Sequence, residues 1–201
     1  MTPLGHRRLI LTRHAKSAWD DPNLADHDRP LNDRGRRSAL ALGDWMASRG
    51  YEPEEVLCSS AARTQETWAT IASAPLELRP LRRIEAGLYQ AGPEKMLSIL
   101  KTATHPTVMM LGHNPGISEL AALLPARLPL DPDFRRYPTG ATLVVDFQVD
   151  SWSQVEPGQG SVMDFVRLDV RNEPLSLWLE YPTGGPGDVK SPGLPSVSQD
   201  L

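Results

Sequence analysis

An α/β fold is the class this sequence predicts: a three-layer α/β/α sandwich around a mixed, mainly parallel central sheet. Short apolar runs alternate with helix-period segments along most of the chain, the pattern of βα units whose helices cover a sheet. The length of 201 residues, with 40% hydrophobic content, suits one compact domain large enough for a three-layer core. No internal repeat interrupts the pattern.

The elements follow in order. Residues 9–11 form a first strand, and Thr12, Arg13 and His14 come directly after it. Asn32 or Asp33 can cap a helix in which Ala39, Leu42 and Met46 share a face, and Gly50 supplies its stop. Residues 56–58 form a second strand, running into Ser59 and Ser60 and a helix from Ala61 to about Ala72. A further helix begins near Pro93 and places Met96, Leu100 and Ala103 on one stripe. Residues 108–111 read as a fully buried strand. Asn114 as N-cap and Pro115 as first helical residue then open a helix whose Ile117, Leu120, Ala121 and Leu124 face the core. The runs 143–147 and 162–168 are expected to be strands near a sheet edge. Residues 1–181 make up the expected domain, and 182–201, rich in Pro, Gly and Ser, read as a flexible tail.

Charge narrows the function. A net charge of −4 argues against general nucleic-acid or anionic-membrane binding, where a basic surface is expected. The clusters Arg34, Arg36, Arg37 and Arg79, Arg82, Arg83 read as solvated faces. Cys58 is the one cysteine, so no intrachain disulfide forms, and its apolar surroundings make it a small buried hydrophobe. Neither a secretory apolar segment nor a membrane span is present, and a cytoplasmic location is expected.

Three segments lie where a strand gives way to a loop or helix, the edge at which open α/β sheets form their ligand crevice. They are Thr12-Arg13-His14-Ala15-Lys16-Ser17, Ser59-Ser60-Ala61-Ala62-Arg63-Thr64 and Gly112-His113-Asn114-Pro115-Gly116. Each alone has a plain structural reading: an incidental Arg-His pair, a surface arginine, a histidine satisfying a loop carbonyl. With Ser60 as N-cap, however, Arg63 falls in a first helical turn, where free amides also favour an anion. Together, two histidines and two arginines supply a nucleophile and the cations that hold a phosphate dianion, which arginine's planar fork suits. No carboxylate or His/Cys cluster has metal-ligand spacing, so side chains must provide the positive charge. The residues thus describe a phosphatase site with no metal and no cofactor.

Thr12-Arg13-His14 resembles the signature of the histidine phosphatase superfamily, with its phosphoglycerate mutase-like fold. Arg63 and His113 match the family's second arginine and second histidine in order and spacing. The closer similarity is to SixA-type phosphohistidine phosphatases, through His14-Ala15-Lys16-Ser17, Arg29-Pro30-Leu31 with Gly35, Leu88-Tyr89-Gln90-Ala91 and Tyr137-Pro138-Thr139-Gly140. It spans residues 8 to 147.

The resemblance implies a hydrolase in which neutral His14 attacks phosphorus and water hydrolyses the phosphohistidine. Arg13, Arg63 and a protonated His113 would keep His14 neutral, and these three would bind the phosphoryl oxygens. Ser17 is a candidate hydroxyl donor to substrate or, equally, a loop-capping serine. Glu85, by position, is a candidate acid for the leaving group or, equally, a surface ion-pair partner of the preceding arginines. Protein phosphohistidine is the expected substrate, with a small phosphorylated metabolite as the alternative. A non-catalytic phosphate-binding protein would be expected to have lost His14. A mutase is disfavoured by the missing His-Gly-Glu start and the short chain.

Overall fold

The computed structural model of the chain describes residues 5–168; the boundary expected at 181 and the segment 182–201 lie outside the described residues. In chain order the elements are β1 (Arg7–Arg13), α1 (Asp33–Arg49), β2 (Glu55–Ser59), α2 (Ala62–Ile71), β3 (Leu81–Glu85), α3 (Pro93–Leu100), β4 (Thr107–Gly112), α4 (Gly116–Leu123), β5 (Ala141–Phe147) and β6 (Ser161–Arg167). Six strands make one sheet in the order β3-β2-β4-β1-β5-β6. The pairs from β3 to β1 are parallel, and β5 is antiparallel to both of its neighbours. The sheet is therefore mixed and mainly parallel, as expected.

Strand parity explains the two helical layers. Leu9, Leu11, Leu57, Val108, Met110, Leu143 and Val145 join one buried cluster with Met96 and Leu100 of α3 and Ile117 and Leu120 of α4. Their neighbours Ile10, Val56, Cys58, Met109, Leu111 and Val144 join the other, with Ala39, Leu42 and Met46 of α1 and Trp68 and Ile71 of α2. Because both faces are covered, the inner strands read as continuous apolar runs and not as alternating ones. Among the described residues, no helix is long and apolar enough to cross a membrane.

Helix ends mostly follow local chemistry. The Asn32 side chain accepts from the Gly35 amide at 2.9 Å, and Gly50 ends α1 in the left-handed region at φ 66°. A Cβ on Gly35 would stand 2.2 Å from the Lys16 carbonyl oxygen. Only glycine lets α1 start this close to the loop that follows β1.

Two local expectations are corrected, and one strand appears that the sequence did not signal. Asn114 does not cap α4: Pro115 takes that position, and the Asn114 Nδ2 donates to the Arg136 and Tyr137 carbonyls, both at 3.2 Å. Ser60 does not cap α2 either; Ala61 does, with no side-chain bond, because the Ser60 hydroxyl is paired with His27 Nε2 at 2.9 Å. The strand β3 was not expected. Its sequence, Leu-Arg-Arg-Ile-Glu, has no buried face, and it forms by pairing its backbone with β2, Arg83 opposite Leu57 and Glu85 opposite Ser59.

Candidate active site

The order β2-β4-β1 at the centre of the sheet sets three carboxyl ends side by side. His14 follows β1, His113 follows β4, and Arg63 sits in the first turn of α2 after β2. All three are nearly buried, at 6%, 5% and 7% exposure. The two imidazoles stand 5.1 Å apart, centre to centre. The Arg63 Nε–H points at His14 Nε2 across 3.3 Å. Arg13, the last residue of β1, donates through Nη1 to the Tyr137 carbonyl at 2.9 Å, and its charge acts on both histidines. Structure thus brings the four expected residues together.

Backbone contacts fix the orientation of His14. Its Nδ1 lies 2.7 Å from the Ala15 carbonyl. A carbonyl only accepts, so Nδ1 carries the proton and the lone pair is on Nε2, facing Arg63. The loop itself is clamped on both sides. The Ala15 amide donates to Thr67 Oγ1 of α2 at 3.0 Å. The Gly140 amide donates to the carbonyls of Arg13 at 3.2 Å and His14 at 3.1 Å. Tyr137, fully buried, holds its segment by donating its hydroxyl to the Leu11 carbonyl at 2.7 Å.

Electrostatics favour neutral imidazoles. Burial lowers the His14 pKa to about 3, against the Ala15 hydrogen bond, with His113, Arg63 and Arg13 adding to the fall. His113 drops to about 4, through burial first and Arg63 next. The protonated His113 expected from the sequence is thereby corrected: in this dry position the ring is neutral near pH 7. Burial, before like charge, is what keeps His14 neutral.

Two donor-type atoms are left over. Arg13 Nε and His113 Nδ1 are buried without a hydrogen-bond partner among the described residues. Buried polar atoms of this kind are uncommon in folded proteins and call for a partner. Two guanidinium groups here meet one carboxylate, Asp26, bound to Arg63 Nη2 at 2.9 Å. The surplus of positive charge and donors fits a group with several acceptor oxygens, such as a phosphoryl group. Among the described residues, no group of three His, Cys, Asp or Glu is arranged to hold a metal ion.

Ser17 and Glu85 fall differently. Ser17 is buried beside the His14 loop, bridged to Leu31, and its hydroxyl accepts from Trp19 Nε1 at 3.1 Å. It keeps its own proton to donate. Glu85 ends β3 with its carboxylate on Arg83 Nη2 at 2.6 Å. Strand parity puts residues 83 and 85 on one face of the edge strand, with Glu85 opposite Ser59 in the register. Among the described residues, no hydrogen bond or ion pair joins Glu85 to the four clustered residues.

Other residues enter that the sequence did not single out. Ser59 Oγ lies 2.8 Å from His113 Nε2. Tyr89 sets its ring edge-on to His113 at 5.4 Å and donates its hydroxyl to Asp26 Oδ2 at 2.9 Å. Tyr89 and Tyr137 stand in the quoted segments Leu88–Ala91 and Tyr137–Gly140, which was their only signal. Asp26 lies in a short 3-10 turn, Asp26–Asp28, whose sequence has nothing local to mark it.

Known proteins resemble this chain in sequence and in fold. The family model of the histidine phosphatase superfamily, branch 1, matches residues 9–95. An uncharacterised Mycobacterium tuberculosis protein is 34% identical over 161 residues, covering 76% of this chain and 97% of that protein. An uncharacterised chloroplastic protein of Arabidopsis thaliana is 36% identical over 128 residues, 59% of each chain; the chain thus spans little more than half of that relative. Among solved structures, a proposed phosphohistidine phosphatase SixA from Nakamurella multipartitia superposes with TM-score 0.69 at 27% identity, over 83% of this chain and 98% of the other. A second, from Agrobacterium tumefaciens, gives 0.64 at 28% identity, over 83% and 99%.

Proposed function

The chain belongs to the histidine phosphatase superfamily and is a phosphatase, and from that premise we propose that it hydrolyses phosphohistidine in cytoplasmic proteins through a phosphoryl intermediate on His14 Nε2. The single observation that carries this reading is the Nδ1 contact of His14 with the Ala15 carbonyl at 2.7 Å. It leaves Nε2 as the ring nitrogen with the lone pair, and burial keeps it unprotonated.

In the first step the Nε2 lone pair forms a bond to phosphorus while the bond to the leaving nitrogen breaks in line. Arg13 and Arg63 neutralise the equatorial oxygens. His113 acts as a neutral donor: with the Ser59 hydroxyl donating to Nε2, the ring proton sits on Nδ1, the buried atom that has no partner among the described residues. Ser17 adds a hydroxyl donor to the bound phosphoryl group. In the second step water attacks phosphorus, the Nε2–P bond breaks, and inorganic phosphate leaves. The substrate ring leaves as neutral imidazole when its second nitrogen already carries a proton, so no acid at the leaving nitrogen is needed and Glu85 has no part in this reading. All charge compensation comes from side chains, and turnover is expected to need no metal.

The test is a panel run in excess chelator: a phosphohistidine protein, p-nitrophenyl phosphate and several phosphorylated metabolites. The phosphohistidine protein is expected to give the highest kcat/KM. A metabolite that exceeds it would move the function to a small-molecule phosphatase, and activity that returns only with added Mg²⁺, Mn²⁺ or Zn²⁺ would contradict the mechanism.

A further inference from the structure

Arg63 serves two residues at once. Its Nε–H meets His14 Nε2 at 3.3 Å, its Nη1 donates to the Asp26 main-chain carbonyl, and its Nη2 donates to Asp26 Oδ2 at 2.9 Å. A guanidinium has five N–H groups. Three are engaged, and one on each terminal nitrogen remains for a phosphoryl oxygen. Asp26 therefore need not leave when the phosphoryl group binds. The two would share one guanidinium and lie a few ångström apart.

The Asp26 carboxylate is also held in place. Its Oδ2 accepts a second hydrogen bond from the Tyr89 hydroxyl at 2.9 Å. Its turn is anchored one residue on, where His27 Nε2 pairs with Ser60 Oγ at 2.9 Å and the ring stands edge-on to Tyr89 at 4.9 Å. Arg63 is 8% exposed by side chain and Asp26 is 45% exposed. The carboxylate thus spans the step from buried guanidinium to solvent, where the group attached to phosphorus must project.

We propose that Asp26 is a specificity-determining residue whose fixed negative charge selects phosphoryl groups with a cation or N–H donor beside them and rejects those with a second anion. This deepens the proposed function, on which it rests. The imidazole ring of a protein phosphohistidine carries such an N–H, and a positive charge, when its second nitrogen is protonated, whereas phosphorylated carboxylic acids carry the disfavoured charge. Like charges at this range, screened by partial exposure, change relative affinity by about 5–20-fold.

Two non-hydrolysable probes of matched length test it by calorimetry: aminoethylphosphonate, with an ammonium group, and phosphonopropionate, with a carboxylate. Wild-type protein is expected to favour the ammonium probe. Asp26→Asn should move the affinity ratio towards the carboxylate probe by about 10-fold, Asp26→Glu should largely keep the wild-type ratio, and the surface control Asp33→Asn should leave it unchanged. Asp26→Ser repeats the charge removal if the first variant folds poorly. An unmoved ratio in the neutral variants, whether both affinities persist or both fall together, would overturn the proposal and leave Asp26 as a mere support for Arg63. The ratio needs no turnover, so the absence of wild-type turnover of p-nitrophenyl phosphate would sink the phosphatase reading separately.

Discussion

Arg63 and Arg83 lie on neighbouring elements, each bound to carboxylates, yet they do opposite work. Arg83 places Nη1 on Glu55 at 2.9 Å and Nη2 on Glu85 at 2.6 Å and on Thr102 Oγ1 at 3.1 Å. Glu55, with no side-chain exposure, also accepts from the Thr104 amide at 2.7 Å and the His105 amide at 3.2 Å. Burial opposes its ionisation, but the Thr104 amide, Arg83 and the His105 amide outweigh it and hold the pKa at about 2. One cation faces two anions there, and among the described residues no buried side-chain nitrogen or oxygen of the cluster lacks a partner. Around Arg63 two cations face one anion, and two buried nitrogens have no acceptor. The contrast shows that an arginine-carboxylate pair marks neither stability nor function by itself. What separates the clusters is surplus: a saturated network ties an edge strand to the sheet, and an unsaturated one is set up to receive an anion.

The sharpest way to break this comparison is substitution at the unsaturated cluster. His14→Ala should cut turnover at least about 10⁴-fold; a near-normal rate would place the nucleophile elsewhere. Next, Arg63→Ala and Arg13→Ala should each lower kcat about 10²–10³-fold, as for loss of one oxyanion donor. Arg83→Ala should instead leave kcat/KM within about 2-fold and lower the unfolding free energy by about 1–2 kcal/mol. Should Arg83→Ala cost more than about 10-fold in rate, the two clusters would not be distinct.

Acid should separate them too. An unfolded chain protonates its histidines near pH 6.5, whereas folded His14 and His113 hold off until about 3 and about 4. Between these values the unfolded state binds more protons. Stability is complete above about pH 6.5 and falls on acidification, with a slope approaching about 1.4 kcal/mol per pH unit for each histidine. Glu55, depressed to about 2, acts lower: its contribution is present above the ordinary glutamate range and is lost as pH falls below about 4.5. Denaturant titrations across this range should show a shallower upper limb in His113→Gln and no change there in Arg83→Ala. A limb the same in all three proteins would mean the site is wetter than its burial indicates. The smallest effect belongs to Glu85→Gln, within about 2-fold and equal for aryl and alkyl phosphates. A loss of about 10²-fold or more confined to alkyl phosphates would make Glu85 the leaving-group acid after all.

Much of this was readable because the inner strands are buried on both faces. The runs at 9–11, 56–58 and 108–111 are almost wholly apolar, and the residues after them had to line one edge of the sheet. By that reasoning Arg13, His14, Arg63 and His113 were found. β3 was not, since an edge strand with two arginines has no buried face to give it a period. Asn114-Pro115 has the residue types of a helix start, but the amide serves the 136–137 carbonyls instead. The charge on His113 was misjudged because burial depends on the folded surroundings and on no local signal. Asp26 escaped for a similar reason: it reaches Arg63 across 37 positions of chain, from a turn without hydrophobic periodicity.

In the proposed mechanism His14 Nε2 carries the phosphoryl group, and buried side chains supply all the compensating charge. Rapid mixing with p-nitrophenyl phosphate in excess chelator, an alkaline quench that preserves phosphohistidine, and peptide mass spectrometry test it directly. Phosphate should appear on the peptide holding His14, rise before steady state and be absent from His14→Ala. Phosphate on another residue, or full turnover in chelator with no phosphorylated His14 at any time, would contradict it.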